Sequence, residues 1–342
     1  MGWPESRLQL RKRVTPVSEA MKKSWDKSLT ANACGPAVNR VAPDPSSELA
    51  AYIKTKTELV ETELLRVFPT EWEIPSTLRE AMNYSLLAGG KRLRPILVLA
   101  AAESLGGSAE QALPVACAVE MIHAYSLIHD DLPAMDDDDL RRGKPTNHKV
   151  FGEAMAILSG DGLLTHAFHV AAGARHRGVP AERVLSVVDE LAKRAGVFGM
   201  VGGQAADILG EQGVTQLAEL EYIHLHKTGD LIVFSLKAGG LLAGATEVQL
   251  EALETFGRNI GLAFQIQDDI LDLTGDESKL GKPLNSDEKQ HKVTYPYFIG
   301  IEASRKQIQV LTEEGKAAIA AAKFANPGRL LELADYLMKR DH

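Results

Sequence analysis

The chain has 342 residues, 45% hydrophobic and 25% charged, enough to bury a substantial core in one large domain or two smaller ones. A formal net charge of -8 excludes a general nucleic-acid binder, which needs a surplus of Lys and Arg to displace phosphate counterions, so any phosphate recognition must be local. Two cysteines, Cys34 and Cys117, match neither a metal spacing nor a disulfide framework and suit a reducing, cytoplasmic compartment, and no stretch reads as the roughly twenty apolar residues of a membrane span.

Residues 1–47 carry basic clusters in RLQLRKR and KK, show no sustained apolar period and close in VAPDPSS. They read as a flexible extension. The alternative, a transit peptide, fits less well because Glu5, Glu19 and Asp26 interrupt the segment and no amphipathic face emerges.

From SSELAAYIKTKTELVETELLRVF onward, apolar residues recur with helical spacing. The same period runs through TLREAMNYSLLAGG, PILVLAAAESLGG, ALPVACAVEMIHAYSLIHDD, EAMAILSGDGLLTHAFHVAAGA, AERVLSVVDELAKRAG, LAELEYIHLHKTGDLIVFSLKAGGLLAG, QLEALETFGRNIGLAFQIQDDILDLTG and RLLELADYLMKR. Many of these segments end in Gly, the residue that most easily closes a helix. Strand-like alternation is almost absent. The pattern predicts an all-α domain over residues 48–342, roughly ten helices, several of them apolar on too many faces to lie at a surface. Central helices wrapped by outer ones are the expected arrangement.

Two acidic clusters stand out. His129 to Gly143 reads HDDLPAMDDDDLRRG, and like charges that close need compensation or full hydration. Asp130 and Asp136 would diverge on an unbroken helix, but Pro133 lies between them and removes a backbone bond, so a distorted turn can bring Asp136 back toward Asp130. The second cluster, QIQDDILDLTGD, holds Asp268, Asp269 and Asp272; Asp268 and Asp272 are one helical turn apart and can grip one cation. Carboxylates in ones and twos suit Mg²⁺, which keeps its other positions for water and phosphate. Each run taken alone could equally be a solvated helix end; together, each after an apolar helix and before basic residues, they point to a divalent metal.

The basic residues are as concentrated. GGKRLRP supplies Lys91, Arg92 and Arg94 beside glycines that allow close backbone approach, and Arg141 and Arg142 follow the first acidic run. HKTGD supplies Lys227 and Thr228 on an otherwise apolar helix, and Lys282 and Lys292 lie in the long polar stretch KLGKPLNSDEKQHKVTYP, which reads as a lid. A surface loop would explain GGKRLRP alone, and surface pairing with Asp137 to Asp139 would explain the two arginines.

The motifs GGKRLRP, SLIHDDLPAMDDDDLRRGKPTNH, GGQAADI, HKTGD, FQIQDDILD and KVTYP stand in the order and spacing of the trans-isoprenyl diphosphate synthases, and the chain resembles that family over residues 48–342. The likeness is strongest to the bacterial farnesyl and plastid-type geranylgeranyl diphosphate synthases. It implies an all-helical bundle around a central cavity, commonly homodimeric, in which isopentenyl diphosphate is added to an allylic diphosphate. It implies Asp130, Asp136 and Asp268 as Mg²⁺ ligands, with Asp131, Asp269 and Asp272 at or just behind the metal. Arg141, Lys227, Thr228, Gln265, Lys282 and Lys292 then meet the allylic diphosphate, while Lys91, Arg94, His123 and Arg142 form the isopentenyl diphosphate site. Gln204 and Asp207 take a supporting place. Where the family pattern has a Gly after the second lysine-containing turn, this sequence reads GKPLNSDEKQHKVTYP, which leaves the contact of Lys292 open.

By the same resemblance, Tyr125 and Ser126, just upstream of Asp130, limit product length. An aromatic at Tyr125 favours a C15 product, whereas KPTNHKVFGEAMAILSGDGLL looks closer to the C20 enzymes. A class I terpene cyclase would not need the cationic set Lys91, Arg94 and Arg142, and a non-catalytic family subunit would be expected to lack the aspartates.

Overall fold

In the computed structural model, residues 48–210, 213–214, 216–274 and 293–338 are described. Lys282, Lys292 and the extension at 1–47 lie outside these residues. The described chain is almost entirely helical, as its apolar period predicts. It runs through α1 (Glu48–Leu64), α2 (Ser76–Leu86), α3 (Leu93–Ser104) and α4 (Ala109–Asp130), then a two-stranded hairpin, β1 (Leu140–Arg141) and β2 (Lys144–Pro145). There follow α5 (Asn147–Phe151), α6 (Glu153–Ala172), α7 (Ala181–Ala195), α8 (Met200–Gly210) and α9 (Leu217–Ile223). A π-helical turn, His224–Gly229, leads into α10 (Asp230–Ala243), and α11 (Glu247–Thr274), α12 (Tyr295–Ile299), α13 (Ile301–Ala321) and α14 (Gly328–Met338) complete the fold.

The helices that are apolar on most faces are the central ones. α4 is lined on every side by buried residues from Ala112 to Ile128 and packs against α6 and α3, and α10 lies between α3 and α11. Gly239 lets α10 and α3 cross closely: a Cβ there would collide with the carbonyl of Val98. By length and composition α4, Ala109–Asp130, is also apolar enough to cross a membrane, contrary to the expectation that no stretch approaches this; 78% of its most apolar window is buried inside the protein, which accounts for the composition.

The hairpin was not expected, since strands of two residues leave no alternation to read. Its loop is Arg142-Gly143 with φ of 54° and 75°, the paired left-handed conformation that matches the twist of a two-residue hairpin.

Arg92 and Glu120 form a buried ion pair inside the apolar layers. Arg92, 4% exposed, places Nη1 2.6 Å from Oε1 of Glu120, itself 4% exposed in the middle of α4. Its Nη2 donates to the carbonyl of Leu86 at 3.0 Å. Three elements, the end of α2, the start of α3 and the middle of α4, are thereby tied at one point. Removing one partner of such a pair leaves an uncompensated buried charge, so Glu120→Ala should cost about 3–5 kcal/mol in urea unfolding, whereas Arg92→Met with Glu120→Leu should recover most of it.

Candidate active site

α4 delivers the first aspartate cluster. The helix ends at Asp130, and beyond it the chain turns back: Leu132 N–H bonds the carbonyl of His129 at 3.1 Å, and Asp136 N–H bonds the carbonyl of Asp130 at 2.9 Å. Pro133, which has no N–H to offer the helix, sits at the apex, and the return predicted from it is present. Burial pushes the Asp130 carboxyl up to about 6; Lys227 draws it down, Asp136 raises it and Arg141 lowers it. Asp131 points elsewhere. It is 3% exposed, and its Oδ1 accepts from Arg141 Nε at 2.6 Å and from Nη2 at 2.5 Å. Burial also raises the Asp131 carboxyl despite this partner. Arg141 reaches Asp138 at 3.3 Å as well, and Asp139 pairs with Lys149 at 2.6 Å. The aspartates of this run thus divide between Asp130 with Asp136, brought together by the return of the chain, and Asp131, Asp138 and Asp139, which pair with cations.

The π turn carries the second set. Thr228 Oγ1 donates to Gln265 Oε1 at 2.7 Å, and Gln265 Nε2 donates to Asp268 Oδ2 at 3.2 Å, so the turn is hydrogen-bonded to the second aspartate cluster on α11. Lys227 Nζ donates to Asp207 Oδ2 on α8 at 2.6 Å. Because Lys227 also acts on Asp130, it stands between the two aspartate clusters. Asp269 and Asp272 are buried, at 8% and 1% exposure. Asp269 Oδ2 accepts the backbone N–H of Tyr295 at 2.6 Å and lies 3.1 Å from His224 Nε2, which ties the KVTYP segment and the π turn to one carboxylate. The GGQAADI motif owes its second glycine to packing, because a Cβ on Gly203 would collide with the backbone of His226 and Lys227, and only glycine lets α8 lie against the π turn. Gln204 is half-buried on the same helix.

The opposite wall is cationic. His123, one and a half to two turns upstream of Asp130 on α4, is held neutral, first by burial and then by Arg94, Arg142, Arg141 and Arg92. Burial and the mutual repulsion of Arg92, Arg94, Arg141 and Arg142 lower Arg94 and Arg142 as well. Arg142 Nη1 donates to the carbonyl of Gly89, and a Cβ on Gly90 would press on the Arg142 guanidinium at 2.9 Å, so the glycines of GGKRLRP do admit a close approach. Arg94 Nε is buried without a hydrogen-bond partner, although Glu120 and Asp268 act on its charge. Lys91 is exposed at the mouth of this loop. Arginines crowded around a neutral histidine, two of them with a buried Nε that has no hydrogen-bond partner, make a place suited to an anion.

Arg141 and Arg142, adjacent in sequence, diverge at the hairpin: the first bonds Asp131, the second Gly89. Both line a cavity of about 40 Å³ with Tyr84, Ala88, Leu127 and Asn147. Tyr125 is 5% exposed on α4, its ring edge-on to His129 at 5.7 Å, and its phenol is pushed up to about 12 by burial and then by Asp130. Ser126 Oγ donates to the carbonyl of His123 at 3.0 Å.

Among the described residues no group of three or more His, Cys, Asp and Glu stands close enough to encage a metal. Mg²⁺ takes one or two carboxylates per ion and fills its remaining positions with water and phosphate oxygens. Asp130 with Asp136, and Asp268 on α11, are carboxylates whose chemistry would fit such an ion. Sequence reasoning passed over Glu120, His224, Arg194 and Asp230, which only their occurrence inside apolar helical segments could have marked; Arg92, expected beside Lys91 and Arg94 among the cations, is instead paired with Glu120.

A model of the polyprenyl synthetase family matches residues 75–325. The chain is 48% identical over 291 residues to a farnesyl diphosphate synthase of Geobacillus stearothermophilus, covering 85% of this chain and 97% of the relative. It is 46% identical over 296 residues to a geranylgeranyl diphosphate synthase of Cyanophora paradoxa, covering 86% and 97%. The crystal structure of a geranylgeranyl pyrophosphate synthetase from Pyrococcus horikoshii superposes with a TM-score of 0.77 at 34% identity, over 86% of this chain and 98% of that one.

The contact of Gly203 with the π turn gives a direct check. Gly203→Ala should lower stability by about 1–3 kcal/mol through overpacking, measured by thermal unfolding. An unchanged melting temperature would mean that α8 and the π turn are not in contact as described.

Proposed function

The chain belongs to the polyprenyl synthetase family, and on that premise we propose that it condenses isopentenyl diphosphate with dimethylallyl and geranyl diphosphates to give all-trans farnesyl diphosphate. The observation that carries this reading is that Lys227 of the π turn acts on Asp130, the same turn is hydrogen-bonded through Thr228 and Gln265 to Asp268, and four arginines gather around His123. A class I terpene cyclase binds one diphosphate and has no use for that second wall, and a non-catalytic subunit has no use for intact aspartates.

Asp130, Asp136 and Asp268 would hold Mg²⁺, which when bound neutralises the allylic diphosphate and favours its departure. Lys227, Thr228, Gln265 and Arg141 hold the allylic diphosphate in place and stabilise the charge that gathers on its leaving oxygens as the C–O bond ionises. Lys282 and Lys292, in the segment read as a lid, complete that side in the proposal. Arg94, Arg142, Lys91 and the neutral imidazole of His123 hold isopentenyl diphosphate with its double bond toward the allylic carbon. Attack forms the new C–C bond, and the proton lost from the adduct passes to the released diphosphate. Exclusion of water protects the allylic cation meanwhile.

Tyr125 favours the C15 product: it is a buried aromatic on the helix that ends at Asp130, and Ser126 follows it. A C20 product is the second reading, favoured by the similar identity to the Cyanophora paradoxa geranylgeranyl enzyme. A homodimer is proposed as well; Ile157 and Leu158 on α6 and Leu185 on α7 leave apolar side chains exposed that a second copy would cover.

Incubation with isopentenyl and dimethylallyl diphosphates and Mg²⁺, followed by product sizing, should yield C15 material, and no elongation of any allylic primer would remove the synthase reading. Tyr125→Ala should shift the product toward C20 or longer; an unchanged length would exclude Tyr125 as the floor. Asp130→Asn and Asp268→Asn should each lower kcat by at least about a hundredfold with the fold retained by circular dichroism.

A further inference from the structure

The charged groups that face neither diphosphate gather behind the π turn. Arg194 on α7 is 1% exposed, and its guanidinium meets three carboxylates: Nη1 donates to Asp230 Oδ1 at 2.6 Å, Nη2 to Glu254 Oε1 at 2.6 Å and Nε to Glu190 Oε1 at 2.8 Å. Lys237 adds Nζ contacts to Glu254 at 2.8 Å and Glu190 at 3.2 Å. Asp230, 2% exposed, keeps its other oxygen for His226, whose Nδ1 lies 2.7 Å from Oδ2.

An apolar set of the same volume is often at least as stable as a buried ion network, so a network that persists calls for a geometric reason. The reason lies in where Asp230 sits. It is the first residue of α10, directly after the π turn, and it holds His226 within that turn. One carboxylate, fixed from behind by Arg194, therefore grips the turn on both sides of Lys227 and Thr228. A π turn holds about one residue more than an α-helical turn, so relaxing it to α geometry would rotate the side chains before it by about 100° about the helix axis. Lys227 would then leave Asp207, and Thr228 would leave Gln265.

We propose that Arg194, Asp230 and His226 form a positioning relay that holds the π turn in register and so keeps Lys227 and Thr228 turned toward the allylic diphosphate. This rests on the roles given to those two residues in the proposed reaction. Arg194 and Asp230 touch no substrate; they act through the backbone that His226 and α10 share.

The test uses the full chain and steady-state kinetics with geranyl and isopentenyl diphosphates, alongside thermal unfolding. Asp230→Asn keeps the size of the side chain and removes its charge; Lys237→Met removes a cation from the same network two turns further along α10, away from His226. The expected result is that Asp230→Asn raises KM for geranyl diphosphate or lowers kcat by at least about tenfold, with KM for isopentenyl diphosphate within about twofold of the parent. Lys237→Met should lower the melting temperature and leave both KM values in place. If Asp230→Asn does not fold, His226→Phe, which keeps a ring among Phe198 and Tyr222 while losing the contact to Asp230, is held to the same expectation. Unchanged kinetics in the variant, or an equal rise in both KM values, would overturn the relay. Parent protein that performs no condensation would instead overturn the reaction on which it rests, and the two failures are told apart without any variant.

Discussion

Charge of one sign is packed against charge of the same sign on each side of the end of α4. On one side Asp130 is buried with Asp136 brought back beside it, enough to lift the Asp130 carboxyl to about 6. On the other, burial first and then four arginines around it keep His123 neutral. Neither arrangement is comfortable by itself, and the surrounding structure is largely a set of devices that hold the two in place. Glu120 offsets Arg92 from within α4, Asp131 holds Arg141, and the Arg142-Gly143 loop turns the second arginine toward Gly89. In the proposed reaction the missing compensation is supplied by Mg²⁺ on the acidic side and by a diphosphate on the basic one.

The π turn is where these sides meet the rest of the bundle. Each polar side chain of the turn bonds a different part of the fold: His224 to Asp269, His226 to Asp230, Lys227 to Asp207 and Thr228 to Gln265. Lys227, which acts on Asp130, is thus flanked in the turn by side chains that are each bonded to another element.

The helical fold was legible because apolar period alone specifies it, and the most apolar segments, α4 and α10, are indeed the central ones. The return of Asp136 to Asp130 was legible because proline leaves a backbone gap that the chain must close. Other features left no such trace. Arg92 and Arg94 are two letters apart in GGKRLRP, yet Arg92, left-handed at φ of 48° before α3, pairs with Glu120, while Arg94 has the larger effect on His123. HKTGD has the composition of an ordinary helical turn, and Gly203, which packs against it, and Arg194, which holds its Asp230, come from separate places in the chain. Asp269 is next to Asp268 in the QIQDDILD run, but helix rotation of about 100° per residue turns it inward, where it anchors Tyr295. Spacing on one helix fixes direction, and only the packing of neighbours decides what lies there.

The two sides predict different dependence on metal, which calorimetric titration can read directly. Isopentenyl diphosphate, met by Arg94, Arg142 and His123, should bind in excess chelator nearly as well as in Mg²⁺. Geranyl diphosphate, brought against Asp130, Asp136 and Asp268, should bind only when Mg²⁺ is present. Equal loss of both on chelation, or full binding of geranyl diphosphate without metal, would contradict the division of the site into a metal-dependent acidic wall and a self-sufficient basic one.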